Sequence, residues 1–428
     1  LWDSTLPSAE YREKLKNKTI LLINAGPTLK YLVMKRIHDL GVGRVVVLDV
    51  YREWCAEFVD DTIPCEDPCS PLSDPDKPET DARVQSILSY MKEKNITFDG
   101  IWTFADASVI LCAQIAHFFE NAWINHHVLS QLKNKHSLRK WLFTHQDSLK
   151  IDCPHLYSLP CLDSQSVSTE HFPLIIKGVE GVDKSLIKII RNQQEFDDCL
   201  SQYDFSSVTL EPYFEWIDID LNLIVEHGKI VWSWFVENFI PRQPWFIENG
   251  SQTCHCLNDE EKSEVVRYTQ NILDLARGIQ TACLHVEFRV RHDDRGFSFT
   301  LVEINFRLWW SENFIFALGQ DNYDLILANL ELAFGMELSQ KNRASKSGMY
   351  PFMKTADLYA TQTGVLKNIA WPKDTTQVLE YLFFVELGMD YHFPPRGTVL
   401  DGMGWIVTGS SLSQEEAEKA LEKALTEI

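Results

Sequence analysis

Two acidic segments near residue 300 constrain the fold of this chain more than any other feature of its sequence. Residues 285–288 and 301–307 both have the composition of strands, and a polar turn at 291–296 separates them. If that turn closes a hairpin, Glu287 of the first segment lies close to Glu303 of the second. The sequence therefore predicts two carboxylates side by side on an antiparallel pair of strands.

The second of these segments carries three polar side chains in alternation. Successive side chains of a strand point to opposite faces, so Glu303, Asn305 and Arg307 share one face. The other face carries Val302, Ile304 and Phe306. Solvent-facing strands favour Thr and Lys over such a series, and the residues that follow, 308–310, are strongly apolar. We therefore expect a pocket edge, where two carboxylates, an amide oxygen and a guanidinium suit Mg²⁺ bound to a polyphosphate.

Composition narrows the class of protein and its partners. A chain of 428 residues is too long for one ordinary hydrophobic core, so two or three domains are expected. The hydrophobic share of 45% is that of a globular protein. A net charge of −21 with no long basic block argues against nucleic acid or an anionic membrane as a partner. No apolar run approaches the roughly 20 residues that a membrane-spanning helix needs.

The ten cysteines are scattered along the chain. Cys254 with Cys256, and Cys65 with Cys69, lack the paired spacing of a zinc site, so we interpret them as ordinary thiols. This usage is typical of a reduced compartment, and we expect a cytoplasmic protein. The first residue is Leu rather than Met, so a targeting segment upstream would not be visible.

The first quarter of the chain alternates strands and helices. Strand patterns at 20–24, 44–49 and 99–104 are separated by helical ones, including 82–94. This alternation predicts a parallel-sheet domain, which we assign to residues 1–125. Gly26 follows the first strand, where such sheets bind ligands, although a plain tight turn explains it equally well.

A glycine-containing loop follows in the next part of the chain. A helix is predicted at 129–144, then strands at 173–177 and 185–190. Lys177 ends the first of these strands, and the loop that follows holds Gly178, Gly181 and Lys184. Backbone N–H groups and lysines of such a loop suit phosphate, although an ordinary hairpin is an equal alternative and the Walker A register is absent.

Further strands and helices complete the chain. Residues 207–236 hold three strand candidates, 260–277 a helix, and a last helix begins at about 413 with a capping box formed by Ser413 and Glu416. The strand end at Glu211, Tyr213 and Asp218 suits recognition of an adenine amino group and a ribose hydroxyl. A partly solvated strand is the alternative.

The order and spacing of these residues resemble the ATP-grasp superfamily over nearly the whole chain. The residues that carry the resemblance are Lys135, Lys177 with its glycines, Glu211, Tyr213, Asp218, Glu287, Glu303, Asn305 and Arg307. The likeness is greatest to carnosine synthase and the bacterial L-amino-acid ligases. It implies a multidomain α/β and α+β fold. The N-terminal α/β domain would be followed by two α+β subdomains, 126–210 and 211–428, which clamp ATP between them.

The resemblance also implies a role for each residue. Lys135, Lys177 and the loop with Gly178, Gly181 and Lys184 would bind nucleotide phosphates. Glu211 and Tyr213 would line the adenine pocket, Tyr213 through its backbone, and Asp218 would bind ribose in place of the usual Glu. Metal ligands would be Glu287, Glu303 and Asn305, for Mg²⁺ or alternatively Mn²⁺. Arg307, Lys177 and Glu303 would be the catalytic groups.

The implied activity is ligation of a carboxylate to an amine through an acyl phosphate, with amino acids or similar small molecules as substrates and a homodimer as a possible assembly. One departure concerns the acceptor: the family's Asn-Pro-Arg and Gly-Gly are Asn305-Phe306-Arg307 and Trp309-Trp310 here. Candidates for the second substrate site are Asp106, Arg242, Trp309 and Trp310. A surface-loop charge is the alternative for Arg242, and core packing is the alternative for the two Trp residues. The alternatives are a ligase acting on a non-peptide skeleton and a non-catalytic nucleotide-binding regulator.

Overall fold

The structure is a computed structural model of the chain. It describes residues 7–121, 123–149, 172–178, 187–202, 208–241, 246, 249–294, 296–308, 311–339, 349–370, 372–373, 376–393 and 402–427. Within these ranges, no helix combines the length and the apolar character needed to cross a bilayer.

A four-stranded parallel sheet forms the N-terminal part. Its strands are β1 (Thr19–Ile23), β2 (Arg44–Asp49), β3 (Asp61–Pro64) and β4 (Gly100–Trp102), in the order β3-β2-β1-β4. The helices of this part are α1 (Ala9–Lys16), α2 (Tyr31–Asp39), α3 (Ala82–Lys94) and α4 (Val109–Phe118). Strands β1 and β2 are almost wholly buried, as the continuous apolar runs of parallel sheets require. The predicted parallel α/β unit is confirmed.

The predicted helix at 129–144 is in fact two helices, α5 (His126–Lys133) and α6 (Lys135–Leu149). Asn134 separates them because its backbone is extended, with φ −74° and ψ 119°. Its side-chain oxygen accepts the Ser137 N–H at 2.9 Å, so it caps the second helix. Lys133 and Lys135 therefore lie on either side of a break.

A small antiparallel sheet follows. It has the strand order β6-β5-β7, with β5 (Leu174–Gly178), β6 (Lys188–Ile190) and β7 (Val208–Pro212). Helix α7 (Gln193–Leu200) packs against it through Phe196. The sheet has an apolar core of its own, which includes Leu174, Ile176, Ile190 and Leu210.

An eight-stranded antiparallel sheet dominates the rest of the chain. Its order is β12-β11-β8-β9-β10-β13-β17-β15. The strands are β8 (Ile217–Glu226), β9 (Lys229–Asn238), β10 (Ser251–Thr253), β11 (Thr281–Asp293), β12 (Gly296–Asn305), β13 (Phe352–Tyr359), β15 (Val378–Phe383) and β17 (Gly402–Ser410). Strands β14 (Gly364–Val365) and β16 (Asp390–Tyr391) pair separately. The helices are α8 (Asp259–Ala276), α9 (Ser311–Asp321), α10 (Leu325–Ala333) and α11 (Gln414–Glu427).

The last helix begins where it was predicted, with a different cap. The Ser413 hydroxyl accepts the Glu416 N–H at 3.2 Å, which is half of the predicted capping box. The Glu416 carboxylate instead accepts the Ser410 hydroxyl at 3.3 Å. Glu416 therefore ties the helix to the end of β17.

The N-terminal sheet and the large sheet share one continuous core. Arg36 of α2 forms a buried ion pair with Asp324 before α10, with Nη2 and Oδ2 at 2.7 Å. Trp102 of β4 donates its indole N–H to the Asn329 side-chain oxygen at 3.0 Å. These contacts join the N-terminal part to α10 and the residue before it.

Candidate active site

The predicted acidic hairpin is confirmed. Strands β11 and β12 pair so that Glu287 lies directly opposite Glu303, with a β-bulge immediately after Glu287. On the other side, β8 places Asp220 opposite Glu287. Three carboxylates therefore lie in a row across three strands, and Asp220, which the sequence did not single out, is 3% exposed.

The two hairpin carboxylates differ strongly in their electrostatics. Burial, then the charges of Glu303 and Asp220, raises the pKa of Glu287 well above its ordinary value. Burial acts in the same direction on Glu303, but the Lys135 ammonium, 2.5 Å from its Oε2, outweighs it and holds the pKa of Glu303 well below that value. The Lys135 ammonium therefore pairs with Glu303 alone, and a second cation would stabilise the row of three carboxylates.

This donor set fits Mg²⁺. Glu287 and Glu303 supply hard oxygen ligands, which Mg²⁺ prefers. Asn305 donates its amide Nδ2–H to Glu303 at 2.9 Å and to Glu287 at 3.4 Å. Asn305 is thus placed among the predicted ligands, and rotating its amide by half a turn would present oxygen instead of nitrogen.

His285 supports these acids from within the sheet. Its Nδ1 lies 3.0 Å from the Asn222 side-chain oxygen, and its Nε2 lies 3.6 Å from Glu287 and 3.8 Å from Asp220. Burial, followed by the charge of Arg307, lowers the pKa of His285 well below its ordinary value. The imidazole is therefore neutral and adds no positive charge to the cluster.

A pocket that is open to solvent lies between the small sheet and the hairpin. Its walls come from α6, β5, β7, β11, β12 and the segment after β7. The residues that line it are Arg139, Ile175, Lys177, Glu211, Pro212, Phe214, Arg289, Thr300, Leu301 and Val302. It contains Lys177 and Glu211, for which the family resemblance implies contacts with a nucleotide.

Glu211 and Lys177 face each other inside this pocket at 3.5 Å. Glu211 is held more closely by Arg139, whose Nε lies 3.0 Å from Oε1 and whose Nη2 donates to the Val302 carbonyl at 2.7 Å. Burial opposes ionisation of Glu211, but Arg139 and then Lys177 outweigh it and lower the pKa of Glu211 to about 2. Burial is also the main cause that lowers the pKa of Lys177.

The predicted ribose ligand, Asp218, is already engaged by a cation. Arg289 Nε lies 2.7 Å from Asp218 Oδ1, and Nη1 donates to the Phe214 carbonyl at 2.7 Å. The Arg289 guanidinium also lies 5.4 Å from the ring centre of Tyr213, whose N–H donates to the Pro173 carbonyl at 2.9 Å. A ribose hydroxyl that bound Asp218 would share it with Arg289.

Arg307 and Asp106 join the hairpin end to the N-terminal unit. Arg307 Nε lies 3.1 Å from Asp106 Oδ1, and the Lys133 ammonium lies 2.6 Å from Oδ2. Burial would raise the pKa of Asp106, but Arg307 and then Lys133 outweigh it and lower it. Asp106 follows β4 and Lys133 precedes the Asn134 break, so three distant segments meet here.

Some predicted site residues lie outside the described residues: Gly181, Lys184, Arg242, Trp309 and Trp310. Gly178 is described and ends β5. Residues that the sequence reasoning did not assign to the site are Lys133, Arg139, Asp220, His285 and Arg289. Arg139 was open to prediction, because it is four residues after Lys135 on one helix and shares its face.

No protein-family model matches this sequence, and no curated protein matches it by sequence. Solved structures do match by fold. An L-amino acid ligase from Bacillus licheniformis has a TM-score of 0.76 and 15% identity, covering 96% of this chain and 98% of its own. A phosphoribosylglycinamide synthetase from Anaerococcus prevotii has a TM-score of 0.67 and 14% identity, covering 96% and 98%.

An N5-carboxyaminoimidazole synthetase from Staphylococcus aureus, complexed with ADP, has a TM-score of 0.64 and 13% identity, covering 96% of this chain and 98% of its own. These solved structures are ATP-grasp enzymes, and this chain has the ATP-grasp fold. The likeness spans the N-terminal parallel sheet as well as the antiparallel sheets, because it covers 96% of the chain.

Proposed function

We propose that this protein is an ATP-dependent ligase that forms an amide bond between a carboxylate and an amine. The observation that carries the proposal is the Glu287–Glu303 pair. Glu303 follows Val302, which lines the Lys177–Glu211 pocket, and the charges of Glu303 and Arg307 both act on Asp106. A metal site, a nucleotide pocket and a cation beside them are the components of phosphoryl transfer. The ATP-grasp fold and its L-amino acid ligase neighbour support the same reaction class.

The proposed reaction has two steps. The substrate carboxylate attacks the γ-phosphorus of ATP, which gives an acyl phosphate and ADP. The amine then attacks the acyl carbon, and inorganic phosphate leaves as the amide forms. No covalent bond to the protein is needed, so positioning and electrostatics supply the catalysis.

Individual residues have the following proposed roles. Glu287, Glu303 and Asn305 hold Mg²⁺, or Mn²⁺, which neutralises phosphate charge when bound. Lys135 and Lys177 bind phosphates, with Gly178, Gly181 and Lys184 closing over them. Glu211 and Tyr213 bind adenine and Asp218 ribose. Arg307 neutralises the phosphoryl group and then the tetrahedral oxyanion.

The contact between Lys135 and Glu303 would couple metal binding to nucleotide binding. In the structure its ammonium lies 2.5 Å from Glu303, which is also a proposed metal ligand. A cation bound by Glu303 would repel this ammonium, so Lys135 would turn from the carboxylate to a nucleotide phosphate. Binding of metal and of nucleotide would therefore be favourable together, each assisting the other.

Amino acids or similar acids and amines are the proposed substrates. The site for the second substrate is proposed where Asp106, Lys133 and Arg307 meet, at the junction between the N-terminal unit and the hairpin. A guanidinium and an ammonium there would bind a substrate carboxylate if the substrate displaced part of the Asp106 pairing. Arg242, Trp309 and Trp310 remain proposed parts of the same site.

The test is phosphate release from MgATP across a matrix of amino acids and small carboxylic acids. We expect release that requires both an acid and an amine, with the amide identified by mass spectrometry. Glu303→Gln should abolish it, while Glu93→Gln, the same change at an exposed position of α3, should not. Tight MgATP binding with no release across the matrix would contradict the ligase and support a nucleotide-binding regulator.

A further inference from the structure

A second cluster of potential metal ligands lies outside the candidate active site. Glu237, Cys254 and Cys256 each place one ligand atom within 4.8 Å of those of the other two. Glu237 is on β9, and the two cysteines are in the segment between β10 and α8. The spacing of the two cysteines in the sequence is not that of a zinc motif, so the sequence alone indicates ordinary thiols.

The two sulfur atoms are placed as a metal would require. Cys254 Sγ and Cys256 Sγ lie 3.8 Å apart. A disulfide bond is about 2.05 Å long, so both are thiols. Two thiolates bound to one tetrahedral Zn²⁺, with Zn–S distances of about 2.3 Å, would be about 3.8 Å apart.

Glu237 is held in position by the segment that carries the cysteines. Its Oε2 accepts the N–H groups of His255 and Cys256 at 3.2 and 3.1 Å, and its Oε1 accepts the Gln252 side-chain N–H at 2.9 Å. Hydrogen bonds that orient a ligand in this way are the usual support of metal sites. The carboxylate is therefore pre-arranged beside the thiols rather than free in solvent.

His255, between the two cysteines, is directed elsewhere. Its Nε2 lies 3.1 Å from the Gln414 side-chain oxygen at the start of α11, and its ring lies 5.8 Å from that of Phe352. The described residues thus supply a Cys₂Glu set, and a water molecule would complete four-coordination. Cys254 is 3% exposed and Cys256 is half-buried, so solvent reaches the site from the Cys256 side.

We propose that Glu237, Cys254 and Cys256 form a binding site for a thiophilic divalent cation of the Zn²⁺ type, distinct from the Mg²⁺ site. Thiolate sulfur selects Zn²⁺ over Mg²⁺, which prefers oxygen only. The site ties β9 to the segment that leads from β10 into α8. Because β10 lies between β9 and β13 in the sheet order, the cation would stabilise the centre of the large sheet.

Co²⁺ titration of the full, reduced, metal-free chain tests the proposal. Thiolate bound to Co²⁺ gives a near-ultraviolet charge-transfer band, which the all-oxygen Glu287–Glu303 site does not give. We expect one equivalent to develop this band and Zn²⁺ to displace it. Zn²⁺ should also raise the Tm of the protein, since it binds the folded state.

Three variants separate the site from other thiols. Cys256→Ser should lose the band and the Zn²⁺-dependent rise in Tm, while Cys69→Ser, at a partly buried thiol of the N-terminal unit, should keep both. Glu237→Gln can still accept the backbone N–H groups, so it should fold, keep some band and bind roughly 10-fold or more weakly.

Two results would overturn the proposal. One is that the folded, reduced protein develops no thiolate band with Co²⁺, or that Cys256→Ser develops the same band as the wild type. The other is a pair that forms a disulfide readily with a low-molecular-weight disulfide but takes up no metal when reduced. That outcome would make the pair a redox-active dithiol.

Discussion

Glu287 and Glu303 lie directly opposite each other on antiparallel strands, and the Lys135 ammonium pairs with only one of them, Glu303, at 2.5 Å. The protein therefore places two acids where one cation is insufficient. Burial of both acids is costly for the charged form of Glu287, and the Mg²⁺ of the proposed function would offset this cost. If the proposed function holds, Glu287 should lower the stability of the metal-free protein and be required for activity.

Replacing Glu287 by Gln should separate these effects. Because burial and Glu303 raise the pKa of Glu287, the neutral variant avoids the cost of suppressing a buried second charge and should raise the metal-free stability. It should abolish Mg²⁺-dependent phosphate release, because a ligand is lost. Chemical denaturation in EDTA and a release assay measure the two quantities.

The matched control for this experiment is Glu93→Gln, at an exposed position where neither quantity should change. A Glu287→Gln variant that is less stable than the wild type in EDTA would show that the carboxylate is a structural partner, and would remove the argument for a strained metal ligand.

Glu211 should make the stability of the protein depend on pH, because its pKa is lowered rather than raised. The pKa of Glu211 is about 2 in the folded protein, against an ordinary value of 4.5 for the unfolded chain. The folded state therefore binds the proton more weakly than the unfolded chain. Its contribution is therefore complete above pH 4.5 and is lost as the pH falls through 2. About 3 kcal/mol is expected, since one pKa unit corresponds to about 1.36 kcal/mol.

The free energy of unfolding, measured in denaturant between pH 2 and 6 for the wild type and Glu211→Gln, checks this. The wild type should lose stability faster with falling pH than the variant, and the two curves should converge at the acid end. Parallel curves would mean that Arg139 and Lys177 do not hold Glu211 ionised.

The hairpin could be predicted from the sequence because its determinants are local. A two-residue period and a polar turn fix which side chains share a face, and the register confirmed the Glu287–Glu303 pair. The parallel sheet followed equally from buried apolar runs. The break at Asn134 was missed because its cause, a single extended residue that caps the next helix, is weaker than the helical pattern around it.

Partners from distant segments could not be predicted in this way. Arg139 reaches Glu211 and Val302 across 72 and 163 residues of sequence. Glu237 meets Cys256 only because β9 and β10 pair. Each contact depends on how sheets and helices pack, which periodicity does not specify. Sequence therefore predicted the polar groups on single strands and missed distant partners such as Arg139.

Arg139→Ala should weaken both the fold and nucleotide binding. Among the described residues, the change leaves Glu211 with the 3.5 Å contact to Lys177, and it removes the guanidinium donor of the Val302 carbonyl. Removing one partner of a buried pair costs roughly 3–5 kcal/mol. Arg139→Lys should recover part of the stability, because it keeps the charge but cannot bridge both acceptors.

Denaturation and MgATP titration calorimetry measure these effects. The control is Arg12→Ala, at an exposed position of α1, which should change neither. If Arg139→Ala bound MgATP as tightly as the wild type, the pocket beside Glu211 would not be the nucleotide site.

Asp106→Asn tests whether the junction with the N-terminal unit positions Arg307. The carboxylate holds Arg307 at 3.1 Å and Lys133 at 2.6 Å, and a neutral amide would hold both cations weakly. Small displacements of catalytic groups are costly, so kcat should fall by roughly 10- to 100-fold. The KM for ATP should change little, because Asp106 does not line the pocket of Lys177 and Glu211.

Steady-state kinetics with an identified acid and amine make this distinction. Asp39→Asn removes a carboxylate from a surface pair with Lys35, where little energy is at stake, and should leave both constants unchanged. A rise in the KM for the acid or the amine alone would place Asp106 or its cations in contact with that substrate. An unchanged kcat would show that Arg307 is held by other groups, since the ion pair with Asp106 would then be dispensable for its position.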